Sequence, residues 1–163
     1  MSGYNFSKIN VLVIDDSYYI RQMVKGFLFG FEVNEVLEAD DAQSGFVTFV
    51  EEDPDIVITD WKMGETSGLD LVYLIRWSEK SPNPFVPIIM LTGYTELERV
   101  RTARDAGVSS YLAKPVSAGS LYKRLCSVVD DRRPFVRDGE YFGPDRRMKD
   151  IPELVAEERR ELD

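Results

Sequence analysis

Asp60 stands at the end of Ile56-Val57-Ile58-Thr59, a run of β-branched residues that reads as a strand buried on both faces. Asp15 and Asp16 end another apolar run, Ile9 to Ile14. Thr92 ends Val86 to Leu91, and Lys114 follows Ser109 to Ala113. Each has an ordinary reading by itself, as a helix starter, a strand residue or a solvated lysine. Together they suit phosphoryl transfer onto a carboxylate. Three acids in one place repel one another unless a cation sits among them. A hard, oxygen-seeking ion such as magnesium fits, because it takes a few carboxylates and leaves positions for water and phosphoryl oxygens. The ion and a lysine would neutralise charge on the group in transfer, which is most of what the reaction needs. Asp60 is the best nucleophile, since it follows the most buried strand. Thr92 would hydrogen-bond a phosphoryl oxygen, and Lys114 would supply a point charge.

These residues act together only if the chain brings their strand ends to one edge. Between the first acids and the second strand, Ser17 is a helix N-cap and Ile20, Val24, Phe27 and Leu28 form an apolar stripe to about Phe29, where Gly30 stops the helix. Glu32 to Ala39 reads as an edge strand. Asp40 and Asp41 open a helix to about Val50, with Gly45 a weak point in it, and Asp53-Pro54 breaks it. Trp61 to Gly68 is a loop, and Leu69 begins a helix ending near Ser78. Ser81-Pro82-Asn83-Pro84 is a loop, and Pro87 is tolerable only at the start of the fourth strand. Further helices run from about Glu96 to Ala106, closed by Gly107, and from Ala118 to about Val129.

Strand and helix thus alternate five times. The class is α/β: a flavodoxin-like, doubly wound parallel sheet of order 2-1-3-4-5 with right-handed crossovers. Its carboxyl edge is where such sheets bind ligands, and that edge collects Asp15, Asp16, Asp60, Thr92 and Lys114.

Composition narrows the chemistry further. The 163 residues suit one domain with some extra length, and the formal net charge of −9 disfavours general nucleic-acid binding. There is no histidine, so Ser-His and Cys-His catalysis, histidine zinc sites and a phosphohistidine on this chain are excluded. The single cysteine, Cys126, cannot form an intramolecular disulfide and fits a reducing cytoplasm. No apolar run is long enough to span a bilayer, and the N-terminus lacks the apolar core of a signal peptide.

The motifs VLVIDDS, IVITDWKMGETSG, PIIMLTGY and DAGVSSYLAKP, in this order and spacing, closely resemble the receiver domain of bacterial two-component response regulators. The resemblance covers about residues 8 to 130. It leaves 1–7 as a lead and 131–163 as a C-terminal extension. It implies that Asp60 is the phosphoacceptor and that Asp15 and Asp16 bind magnesium. Asp16, Asp60 and the backbone carbonyl of Lys62 would be direct ligands. Thr92 and Lys114 match the family's switch hydroxyl and lysine, and Lys114-Pro115 matches its cis peptide, a form that proline makes accessible. Tyr111 sits where the family carries its switch aromatic; an ordinary half-buried strand tyrosine is the other reading. The phosphoryl donor would be a sensor histidine kinase or a histidine phosphotransfer protein.

The sequence departs from the family at Met63-Gly64, where Met-Pro is usual, so a looser loop is expected. Lys62 and Tyr94 occupy variable positions that flank the site. Two other functions share these residues: a phosphorelay intermediate or phosphate sink without its own output, and a phosphohydrolase. The second is disfavoured, because haloacid-dehalogenase-type phosphatases want an Asp where this chain has Lys62.

The extension is too short for the usual DNA-binding output domain. Residues 131–149 mix arginines (Arg132, Arg133, Arg137, Arg146, Arg147) with Phe135, Tyr141 and Phe142, and Gly143-Pro144-Asp145 reads as a turn. Asp150-Ile151-Pro152-Glu153 resembles a capping box that opens a short helix to about Leu162. Such a helix is unstable alone, so Ile151, Leu154, Val155 and Leu162 need a surface. That surface could be the chain's own receiver, a partner or a second copy in a homodimer. A basic arm for nucleic acid is the remaining reading.

Overall fold

The computed structural model describes residues 4–93, 97–131, 135–139 and 141–144. Tyr94, the arginines at 132, 133, 146 and 147, and the expected helix after Asp150 lie outside the described residues. The chain opens with β1 (Asn10–Ile14), α1 (Tyr18–Gly30), β2 (Glu35–Ala39), α2 (Ala42–Glu52) and β3 (Ile56–Asp60). It continues through β4 (Lys62–Met63), β5 (Thr66–Ser67), α3 (Gly68–Trp77), β6 (Ile88–Thr92), α4 (Leu97–Asp105), β7 (Ser110–Ala113) and α5 (Ala118–Asp130). It closes with β8 (Phe135–Asp138) and β9 (Tyr141–Pro144). The main sheet is parallel in the order β2-β1-β3-β6-β7, which is the expected flavodoxin-like order once the short ribbons are set aside.

Side-chain alternation along the strands divides the core into two layers. Val11 and Val13 pack with Val24 and Leu28 of α1 and Leu121 and Leu125 of α5. Leu12 and Ile14 face the other way, toward Phe49 of α2, Leu71 and Ile75 of α3, and Val100 and Ala103 of α4. The central strand β3 is buried throughout, as its β-branched run requires.

Ser17 caps α1 by accepting from the amide of Ile20 at 3.2 Å, and Asp41 caps α2 by accepting from Ser44 at 2.7 Å. α1 ends at Gly30, as expected. The left-handed turn falls on Glu32 at φ 65°. That turn delays β2 to Glu35. Gly45 is a contact rather than a weak point: a Cβ there would lie 2.9 Å from Ile14 Cδ1, so its absence lets α2 settle onto β1. β6 begins after Pro87, whose carbonyl accepts from Val57 but whose nitrogen has no proton to give.

The extension holds the largest departure. Gly143 and Pro144 are not a turn. They lie in β9, which pairs antiparallel with β8, and the turn is at Gly139, φ 61°. Gly143 is needed because a Cβ would fall 2.8 Å from Gly107 Cα. The ribbon docks on the α/β domain that precedes it. Phe142 meets Trp77 edge-on at 5.7 Å, and Phe135 meets Phe85 at 5.4 Å. The Arg137 guanidinium lies over Trp77 and Phe142.

Beneath the ribbon, Arg76 is almost wholly buried. Its Nε and Nη2 donate to the carbonyl of Gly107 at 3.1 and 2.9 Å. Its Nη1 donates to Pro84 and Val86 at 2.8 and 2.7 Å, and Phe135 covers the guanidinium at 4.9 Å. Burial lowers its pKa to about 9, which leaves it cationic at neutral pH and matched to those carbonyls.

Candidate functional site

The carboxyl ends of β1, β3, β6 and β7 converge at one edge. Asp60, the last residue of β3, is nearly buried and its Oδ1 accepts from the Trp61 amide at 2.9 Å. Lys114, just past β7, places Nζ 2.9 Å from the same oxygen and 3.3 Å from Asp15 Oδ2. Asp15 is fully buried and its other oxygen accepts from the Ser17 amide at 2.9 Å. Asp16 is exposed, yet it offers a carboxylate oxygen within 4.8 Å of those of Asp15 and Asp60. Thr92 is buried at the end of β6, and its carbonyl accepts from the Lys114 amide at 2.9 Å, which ties the ends of β6 and β7 together.

Electrostatics follow from this crowding. Burial pushes the Asp15 carboxyl above its ordinary value, and the charge of Asp60 adds to the rise. Burial works to lower the Lys114 ammonium, but its hydrogen bond and charge pairing with Asp60, and then with Asp15, hold it above its ordinary value. Among the described residues, three carboxylates cluster here and Lys114 pairs with two of them, so a negative excess persists. The donors are hard oxygens in a half-open edge, with Asp16 on the solvent side. That set fits a divalent cation of the magnesium kind.

Two features that hold the site in place escaped the sequence reading. Arg21 of α1 donates from Nη1 to the Asp15 carbonyl at 2.6 Å and pairs with Glu38 of β2 at 3.3 Å, bracing the acid-bearing loop against the edge strand. Gly68 comes so close to Asp60 that a Cβ would lie 2.1 Å from the Asp60 carbonyl oxygen, and its amide donates to the Trp61 carbonyl at 2.7 Å. The spacing of an acid to a glycine eight residues later was visible in the motif, but the backbone contact was not.

Lys62 lies in β4, with its side chain exposed, paired with Ser67 of β5. The segment is not a loose loop. It is a two-stranded ribbon turned by Gly64 at φ 62°, a conformation proline cannot take, and closed by Thr66 Oγ1 donating to the Met63 carbonyl. Tyr111 is buried in the core layer beside α4 rather than half-buried, with the Arg124 guanidinium 5.7 Å from its ring. The Lys114-Pro115 peptide is cis.

The family model of the response regulator receiver domain matches residues 11–126. The chain belongs to the response regulator receiver family. This receiver is 32% identical over 122 residues to chemotaxis protein CheY-3 of Vibrio cholerae, an alignment covering 75% of this chain and 92% of that protein. It is 35% identical to a chemotaxis CheY homolog of Campylobacter jejuni, covering 74% of this chain and 92% of the relative. The structure of the chemotaxis response regulator CheY4 of Vibrio cholerae superposes with a TM-score of 0.68 at 31% identity, covering 74% of this chain and 98% of that one. Among the described residues, no helix is long and apolar enough to cross a membrane.

Proposed function

We propose that this receiver is a stand-alone response regulator that takes a phosphoryl group onto Asp60 from a phosphohistidine on a partner kinase or phosphotransfer protein. The observation that carries this reading is the Lys114 ammonium bridging Asp60 and Asp15 beside Asp16 at the sheet edge. Both hydrogen bonds to Asp60 fall on Oδ1, so Oδ2 is the oxygen left to form the new bond. Its lone pair attacks phosphorus, the P–N bond breaks, and the imidazole nitrogen keeps the electron pair and recovers a proton from water. Lys114 neutralises charge on the phosphoryl oxygens in a half-buried setting, where a point charge counts for more than in water. Thr92, buried at the next strand end, would donate its hydroxyl to a phosphoryl oxygen. Asp15, Asp16, Asp60 and the Lys62 carbonyl would hold magnesium, whose contribution when bound is to offset the carboxylate and phosphoryl charge together.

Output follows as a population shift. The phosphoryl group adds close to two negative charges at the edge. Thr92 and Lys114 carry its pull into β6 and β7, and so to the surface around α4, β7 and α5. Moving a switch from about 1:99 to 99:1 takes about 5.5 kcal/mol of preference for the phosphorylated state. Tyr111, buried beside α4 here, would hold that inward position in the phosphorylated state.

The test is intact mass after incubation with magnesium and a small acyl phosphate. One phosphoryl group per wild-type chain is expected, with none on Asp60→Asn and none without the metal. An adduct that survives Asp60→Asn would move the acceptor elsewhere.

A further inference from the structure

Asp15 is held at each of its polar atoms. Its amide donates to the Ala39 carbonyl at 3.2 Å, and its two carboxylate oxygens meet the Ser17 amide and the Lys114 ammonium. Its carbonyl accepts from Arg21 Nη1 at 2.6 Å. That carbonyl belongs to the planar peptide that joins Asp15 to Asp16. Asp16 is exposed, so its backbone, more than any packing, sets where its carboxylate points.

Arg21 is itself held. Its side chain is only 14% exposed, its Nε pairs with Glu38 Oε1 at 3.3 Å, and its guanidinium lies 5.7 Å from the Tyr18 ring. Glu38 also accepts from Gln22 at 2.8 Å and from Lys25 at 3.1 Å, so three side chains of α1 converge on one carboxylate of β2. A guanidinium is planar and presents its donors as a rigid fork. With Nε fixed on Glu38, the direction of Nη1 is fixed as well.

We propose that Arg21 is a positioning residue for the divalent cation. It clamps the Asp15–Asp16 peptide and so presents the Asp16 carboxylate to the ion beside Asp15 and Asp60. This rests on the reading of the acid cluster as a magnesium site and extends it to a residue that does not touch the ion. The sign of the effect separates a clamp from a charge. A guanidinium this near repels a divalent cation, so charge alone predicts tighter binding once it is removed. A clamp predicts weaker binding.

The test is calorimetric titration of magnesium chloride into the full chain, with the melting temperature of each metal-free variant recorded beside it. Arg21→Gln should raise the magnesium dissociation constant about tenfold, the scale seen when a group that orients a metal ligand is lost. Arg21→Lys keeps the charge and one donor but not the fork, so its value should fall between those of the wild type and Arg21→Gln. Lys25→Gln removes the same charge from the same helix and also frees Glu38, but leaves the bond from Arg21 to Asp15 in place. It should bind magnesium as the wild type does.

An unchanged or lowered dissociation constant in Arg21→Gln would overturn the proposal, even with a lower melting temperature, because Arg21 would then be a structural residue only. An equal rise in Lys25→Gln would overturn it too, by assigning the effect to the Glu38 network as a whole. Should Arg21→Gln fail to fold, Arg21→Lys decides: weaker binding supports the clamp and wild-type binding overturns it. Magnesium that does not bind the wild-type chain, or that binds Asp16→Asn as tightly, would instead remove the magnesium site itself and this proposal with it.

Discussion

The side chains that do the proposed chemistry were legible in sequence because each sits at the end of an apolar run, and the period-2 pattern of a buried strand fixes where a run ends. Asp15, Asp16, Asp60 and Lys114 meet for that reason. Gly68 and Arg21 were not legible, because their importance depends on a neighbour far away in the local geometry: a carbonyl under a missing Cβ, and a guanidinium crossing to the loop after β1. Gly68→Ala tests the first. Overlap with the Asp60 carbonyl should cost about 3 kcal/mol by urea unfolding and slow the proposed phosphoryl uptake, since the displaced backbone belongs to Asp60 itself. Full stability with normal uptake would mean that the turn relaxes at little cost.

At the scale of elements, the strand and helix order was readable throughout, while the edges moved where a special backbone conformation intervened. Glu32 took the left-handed turn expected near Gly30, and β6 waited for Pro87 to pass. The β8–β9 ribbon was hidden because Gly143 and Pro144 carry the composition of a turn, whereas Gly143 is there for its close approach to Gly107. Phe142 joins that ribbon to Trp77 and Phe85. Phe142→Ala should destabilise the docked ribbon by about 3 kcal/mol. Amide exchange should then quicken across 135–144 while the amides of β1 and β3 keep their protection. Exchange that rises equally everywhere would make the ribbon part of one cooperative unit with the sheet.

For the molecule as a whole, the fold concentrates negative charge at one edge of a chain whose net charge is already −9. A cation that binds there and not to the unfolded chain must raise overall stability. At a hundredfold excess over its dissociation constant the gain is about 2.7 kcal/mol. Magnesium should therefore raise the melting temperature by several degrees, and a chelator should reverse the rise. Asp16→Asn should abolish most of it, and since Asp16 is exposed the variant should fold normally. An undiminished rise in that variant would place the cation elsewhere.

Arg76 has a mechanical consequence. It grips Pro84 and Val86 just before β6 and Gly107 just before β7, so the two strands that end at Thr92 and Ala113 are pinned at their far ends by one side chain. Neither strand can slide along its neighbour. A pull applied at the carboxyl edge can only swing them about that anchor, on a lever of about 16 Å for the five residues of β6. Displacement is then greatest at the carboxyl edge, beside Asp60, and smallest at the docked ribbon.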